Sequence, residues 1–176
     1  FINISPNSND SANFLKAKQI SIIPNTDTAL MLSLAYILIT KKKYDEKFVN
    51  NYTSGFEEFK KYVIGELNNK PCTPEWASQI TSIPVQTINF LADQIIKKKT
   101  MISVSWSLQR ASAGEQPLWM AITLASMLGH IGTEGGGIGF GYSSVNSTGD
   151  VFKKIPWKSL PQGTNNIKDF IPVARI

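Results

Sequence analysis

Apolar and polar residues along this chain alternate between two spacings, one suited to strands and one to helices. Residues 1–4, Phe-Ile-Asn-Ile, read as the end of a strand, and the Ser-Pro-Asn-Ser-Asn-Asp run over 5–10 carries turn chemistry. A short helix is expected over 11–16. Residues 19–23, Gln-Ile-Ser-Ile-Ile, alternate and predict a second strand, which Pro24 and Asn25 break. Asn25 or Thr26 is then placed to cap a helix, with Asp27 in its first turn. That helix extends to about residue 40 and is apolar on nearly every side, so it is expected to lie between other layers.

Short helices follow, over 44–51 and 56–64. Thr73-Pro74-Glu75 is a cap with proline at the first helical position, opening a helix over 75–80. Pro84 opens another over 85–98, with Val85, Ile88, Leu91, Ala92, Ile95 and Ile96 on one face. Residues 101–106, Met-Ile-Ser-Val-Ser-Trp, alternate as a further strand. A polar turn over 107–113 leads to a long helix over about 115–130. From 133 onward glycine, serine, asparagine and proline predict extended loop. Strands interleaved with helices give an α/β fold, a Rossmann-like parallel sheet with crossover helices and a long irregular C-terminal segment. Ligands of such sheets sit beyond the carboxyl ends of strands. Three segments leave strand ends here, at 5–10, 24–27 and 106–110.

Composition narrows the chemistry. The 176 residues include one cysteine, Cys72, and one histidine, His130, so neither a multi-thiolate nor a multi-histidine metal site can be built from this chain. The longest apolar run, over 29–39, is interrupted by Ser33 and falls short of the ~20 residues a membrane span needs. The net charge of +5 is modest. Lys41–Lys43 and Lys97–Lys99 both follow apolar helical segments, where cations favour the negative end of the helix, and read as solvated helix ends rather than a nucleic-acid surface. The chain opens on Phe1 inside an apolar run and closes without a helix-stop signal, so it reads as a piece of a longer protein with no signal peptide at its start.

Two strand-end segments carry candidate chemistry. At 24–27 the plain role is a helix cap. The functional alternative is nucleotide recognition, because a carboxylate such as Asp27 can accept two parallel hydrogen bonds from the N1–H and exocyclic amine of guanine. Adenine lacks that donor pair, and nearby helix amides suit phosphate. At 106–110, Trp-Ser-Leu-Gln-Arg either ends a strand with a surface arginine or floors a polar pocket. Arg110 offers five donors in a rigid fork, and Trp106 offers a flat wall with one N–H. The glycines from 135 to 141 do not meet the dinucleotide fingerprint: Phe140 stands where the third glycine would fall, and the run follows a helix instead of a strand. Those glycines are expected to let backbone approach a cofactor or a neighbouring domain closely. His130 is expected to bond the last carbonyls of its helix. Cys72 reads as incidental, and no serine triad is visible around Ser103, Ser105 and Ser107.

Taken together, these pieces resemble a known family. Residues 19–35, QISIIPNTDTALMLSLA, are similar to its pattern I-x-P-x-T-D-x-A-L-M-L-x-x-A. Trp106-Ser-Leu-Gln-Arg110, Gly114-Glu-Gln116, Met127-Leu-Gly-His-Ile-Gly132 and the glycines from 135 to 141 are similar to W-x-x-Q-R-x-x-x-G-E-Q … M-L-G-Q-I-G-x-x-G-G-G-x-G-F-G. This is the dimethyl sulfoxide reductase family of molybdenum enzymes, nearest its trimethylamine-N-oxide, dimethyl sulfoxide and biotin sulfoxide reductase branch. The similarity extends to residues 52–56, YTSGF, and 171–175, IPVAR.

The resemblance implies a bis(molybdopterin guanine dinucleotide) cofactor and removal of oxygen from a small S-oxide or N-oxide at molybdenum. It places Asn25, Thr26 and Asp27 at a guanosine, and Trp106, Ser107 and Arg110 at the pterin and the reaction pocket. Trp106 would shape that pocket, and Arg110 would stabilise charge on the transferred oxygen or hold a pterin edge. Residues 5–8 align with a loop usually written D-P-x-x-T, so Asn7 and Ser8 become guanosine candidates, although Ser5 replaces the aspartate. His130 replaces a common glutamine. The metal's serine ligand would lie outside this chain. The implied division is an α/β cofactor-binding domain over 1–132 and, over 133–176, a glycine-rich loop and extended segment packing on the rest of the enzyme. Implied partners are the remaining domains, the oxide substrate and an electron donor such as a cytochrome c-type protein, in the periplasm or alternatively the cytoplasm. The competing readings are a non-catalytic guanine-nucleotide-binding or structural domain, and a piece of a formate or nitrate reductase.

Overall fold

The computed structural model describes residues 1–7, 13–141, 161, 163 and 164. The chain divides into two compact units, Phe1–Val145 and Asn146–Ile176. The architecture that follows is that of the first. Its described residues form strands β1 (Ile2–Ile4), β2 (Lys18–Ile20), β3 (Met101–Val104) and β4 (Gly137–Phe140). Its helices are α1 (Asp27–Thr40), α2 (Glu46–Tyr52), α3 (Phe56–Ile64), α4 (Pro74–Thr81), α5 (Val85–Lys97) and α6 (Glu115–Met127), with a 3-10 turn at Trp106–Gln109. The fold is α/β, and the strands pair in parallel as expected. They do so as two separate pairs, β1 with β2 and β3 with β4, and not as one continuous sheet among the described residues.

Helix α1 is the centre of the core. Residues 29–35 and 37–39 are all buried, and α3, α4, α5 and α6 pack around it. A helix apolar on every side must be enclosed, and this one is. Its one buried hydroxyl, on Ser33, donates to the Leu30 carbonyl at 2.7 Å, so no polar group inside the helix is left unpaired. The α4 cap is the one its sequence announces: Thr73 Oγ1 accepts from the Trp76 amide at 3.2 Å, and Pro74 opens the helix. On α5 the buried positions are Ile88, Leu91 and Ala92, while Val85, Ile95 and Ile96 are half-buried. Lys41–Lys43 and Lys97–Lys99 are exposed, Lys97 as the last residue of α5 and the others just beyond helix ends. The Lys41–Asp93 ion pair, 3.6 Å long, is about half exposed, and such pairs are worth little. No helix among the described residues is long and apolar enough to cross a membrane.

Several expectations are corrected. Of the helix expected over 11–16, Asn13 and Phe14 are helical, Leu15 and Lys16 are turn, and 11–12 lie outside the described residues. Strand β2 stops at Ile20, short of 23. Beyond it the Ile23 amide donates to the Thr81 carbonyl (3.1 Å), so the chain is claimed by the end of α4 instead of a sheet neighbour. Trp106 leaves the β3 strand. Ser105 Oγ accepts from the Ser107 amide at 3.3 Å and starts the 3-10 turn. Helix α6 ends at Met127, not 130.

The largest correction concerns the glycines. Gly137–Phe140, expected as loop, is strand β4, in register with Met101–Val104 and lying within the first compact unit. His130 does not cap its own helix. Its Nδ1 accepts from the Thr100 amide at 3.1 Å, latching the turn after α6 to the residue before β3. Cys72 is a core residue, 2% exposed, and burial pushes its thiol pKa up, consistent with an inert side chain.

Candidate functional site

The site begins where α1 begins. Asn25 holds a left-handed backbone (φ 66°), a conformation asparagine tolerates better than most residues, and turns the chain into the helix. Thr26 stands at the N-cap, but its side chain does not cap: Oγ1 donates back to the Ile23 carbonyl at 2.6 Å. The expectation that Asn25 or Thr26 serves as a side-chain cap is therefore not met. The reason is local, because the carbonyl three residues back competes successfully for the hydroxyl.

Asp27 occupies the first helical position and is half-buried. Burial raises its carboxyl pKa above the ordinary value of 3.8, partly offset by its own backbone amide. No ion pair with a cation accounts for it among the described residues. A carboxylate held partly out of water with no cation to neutralise it is a group whose acceptor capacity is available to a ligand.

Across from it, the Trp106–Gln109 turn passes through residues 110–113 into α6. Gly114 permits this junction. A Cβ there would collide with the Gln109 backbone, so the entrance of α6 presses directly onto the 3-10 turn. The two segments enclose a hollow of about 250 Å3, lined by Asn25, Asp27 and Thr28 on one side and by Leu108, Ala111–Gly114, Gln116 and Pro117 on the other. Of the strand-end segment 106–110, Leu108 alone reaches the hollow, and residues 111–114 beyond it complete that side. Trp106, Ser107 and Arg110 do not line the hollow.

Trp106, 40% exposed, instead packs on Phe140 with ring centroids 5.3 Å apart. A Cβ on Gly141 would come within 2.9 Å of the Trp106 ring. The close approach that these glycines permit is therefore, at Gly141, an approach to a tryptophan of the same unit. Ser107 Oγ pairs with Ser105 Oγ at 2.8 Å, and Arg110 is exposed, its amide bonded to the Ser107 carbonyl (2.9 Å).

The β1-end loop is a third, separate locus. Asn7 is exposed, and its amide donates to Ser5 Oγ at 3.4 Å. Ser8 lies outside the described residues. Gln19, which sequence reasoning treated only as a strand position, organises this loop. Its Nε2 donates to the carbonyls of Ser5 (3.1 Å) and Asn7 (3.5 Å), while its Oε1 accepts from Asn3 at 2.7 Å. Thr28, Leu108 and Gln116 were likewise missed as lining residues. The one available signal was the place of Gln116 in the Gly-Glu-Gln piece of the motif.

The motif pieces therefore find one another in space. Trp106 meets Phe140 and Gly141, Gln109 meets Gly114, and Asp27 faces the turn between them. The family model for molybdopterin oxidoreductases matches residues 1–168. The chain is 43% identical over 173 residues to a biotin sulfoxide reductase of Cereibacter sphaeroides, covering 98% of this chain and 23% of that protein. It is 46% identical over 139 residues to a dimethyl sulfoxide/trimethylamine N-oxide reductase of Rhodobacter capsulatus, covering 79% and 17%. With a trimethylamine-N-oxide reductase of Haemophilus influenzae the identity is 37% over 186 residues, covering 98% and 22%. Among solved structures, acetylene hydratase from Pelobacter acetylenicus superposes with a TM-score of 0.63 at 20% identity, covering 76% of this chain and 18% of that one, which speaks to the fold alone. The chain spans about a quarter or less of the length of these relatives. From the match over residues 1–168 and these identities, the chain belongs to the molybdopterin oxidoreductase family.

Proposed function

We propose that this chain is one α/β domain of a longer reductase of small S-oxides or N-oxides, and that it supplies part of the cradle for a bis(molybdopterin guanine dinucleotide) cofactor. The observation that carries this reading is the hollow shared by Asn25, Asp27 and the 108–114 turn. Its donor set fits a guanosine. Asp27 offers a carboxylate to two parallel N–H donors, and Asn25, Thr28 and Gln116 add neutral polar groups around it. Whole-ligand pockets commonly measure about 300–1,000 Å3, so a hollow of about 250 Å3 suits one moiety of a long cofactor and not the whole of it.

When bound, the cofactor supplies the two-electron chemistry that removes oxygen from the substrate. The chain's residues bind and orient. Asp27 selects guanine by accepting from N1–H and the exocyclic amine together. Trp106, braced by Phe140, presents a fixed flat wall beside the hollow. Arg110, exposed next to it, directs a fork of donors at a pterin edge or at negative charge developing on the substrate oxygen. Asn7 and Ser8 serve a second guanosine contact, with Gln19 holding their loop. A periplasmic location, or alternatively a cytoplasmic one, and a cytochrome c-type electron donor complete the reading, as the motif resemblance implies.

The test uses the full-length protein. Charged hydrogen bonds contribute about 1.5–3 kcal/mol each, and an amide in place of the carboxylate turns one acceptor into a donor facing a donor. Asp27→Asn should therefore lower guanine-dinucleotide retention by at least about tenfold, measured as guanosine monophosphate and molybdenum per polypeptide. Arg110→Ala should impair turnover or molybdenum content. Normal kinetics with full molybdenum in both variants would reject the assignment.

A further inference from the structure

A second depression lies beside the hollow, with a volume of about 530 Å3, between α1, the α2–α3 turn and α6. Thr28 and Gln116 form the wall common to both. None of the residues lining this cleft carries a formal charge, in a chain with 18 basic and 13 acidic side chains. Its rim holds large apolar groups facing water: Tyr52 is 74% exposed, Trp119 67%, Ile122 48% and Tyr62 41%. Exposed apolar area of this kind marks an interaction surface.

We infer that this cleft is an intramolecular seam, filled in the whole protein by an uncharged, apolar segment of the same polypeptide from outside residues 1–176. Three observations choose that occupant. The absence of charge excludes nucleotide phosphate, which needs cationic or N–H-rich walls, and excludes a strongly charged protein partner. Of the five aromatic residues lining the cleft, Tyr52 and Trp119 stand on the rim with most of their area outward and only Phe56 and Phe59 are half-buried, whereas a small-molecule pocket turns its aromatic walls inward around the ligand. The relatives are more than four times the length of the matched region, which accounts for 23% or less of each, so chain of the same polypeptide is at hand to cover it. The shared wall of Thr28 and Gln116 means that a segment seated here also closes one side of the hollow.

The experiment uses the full-length protein. Ile122→Cys is a mild change at a half-exposed position, and its folding is checked by circular dichroism against the parent. In the native state maleimide labelling of residue 122, read by peptide mass spectrometry, should be at least about tenfold slower than after urea unfolding, as for a site reached only by local opening. A p-benzoylphenylalanine placed at residue 119 should crosslink to peptides of the same polypeptide outside 1–176. Labelling within about twofold of the unfolded rate would overturn the proposal. Crosslinks joining two polypeptides would assign the cleft to a second copy and would overturn it too, as would slow labelling with no crosslink beyond residue 176 or before residue 1.

Discussion

The joint between α6 and α2 offers a quantitative test. Helix α6 ends at Met127 with Leu128 as its C-cap, and Gly129 then takes a left-handed conformation, φ 67°. Directly against it stands Asp45, which caps α2: its Oδ1 accepts from the Phe48 amide at 2.8 Å, and its own amide donates to the Met127 carbonyl at 2.7 Å. A Cβ on residue 129 would lie 2.8 Å from both Cβ and Cγ of Asp45, with its carboxylate Oδ2 nearer still. Gly129→Ala therefore does two things. It places an L-residue in the left-handed region, costing about 1–2 kcal/mol, and it displaces the Asp45 side chain from its cap, costing about 1 kcal/mol more.

The expected loss is about 2–3 kcal/mol in urea melts of the chain. Asp45→Gly alone should cost only a few tenths of a kcal/mol, because glycine is tolerated at an N-cap. In the double variant the collision is gone and only the backbone strain remains, so the two losses should fall short of additivity by about 1 kcal/mol. Additivity within about 0.5 kcal/mol would show that the two residues do not touch as described.

Two further outcomes are expected. Ile88 is fully buried on α5, so Ile88→Ala should destabilise by about 2–5 kcal/mol through lost burial and a residual cavity; a smaller loss in the denaturation midpoint would mean that α5 is not packed as shown. Asp27 has a pKa raised in the fold by burial, so its favourable contribution is complete below the ordinary value of 3.8 and is lost as pH rises through the folded value. Asp27→Asn should then be more stable than the parent near neutrality, with the difference closing as pH falls toward 3.8. A parent more stable than the variant at pH 7 would contradict that sign.

Burial of Asp27 and its proposed role form one argument. Within this chain the carboxylate is a cost, since it is half-buried with no cation accounting for it among the described residues. A guanine supplying two N–H donors would offset that cost on binding. The same substitution is thus expected to stabilise the apo chain and weaken the holo protein, a pair of opposite effects that a purely structural helix-start residue would not produce.

Much of this was legible in the residues themselves. The all-apolar segment 27–40 announced an enclosed helix, Thr73-Pro74 announced a cap, and the face carrying Ile88, Leu91 and Ala92 announced which side of α5 is buried. These are local properties, written in spacing and in hydrogen bonds that reach three or four residues. The motif fragments announced a family before any geometry was known, although each alone was weak. Their joint meaning is spatial, since Trp106 with Phe140 and Gln109 with Gly114 are contacts.

Spacing and cap residues were enough to place most of the helices and the alternation of strand with helix, and to name strand-end loops as candidates. Packing in three dimensions set the rest: the glycine-rich run pairs with β3 as a strand, the parallel strands form two pairs among the described residues, His130 reaches Thr100, and Leu108 and residues 111–114, not Trp106 and Arg110, share the hollow with Asp27. The physical reason is the same in each case. Periodicity fixes which face of an element is apolar, but the partner of a backbone amide or a side chain distant in sequence is chosen by packing, and no local pattern records that choice.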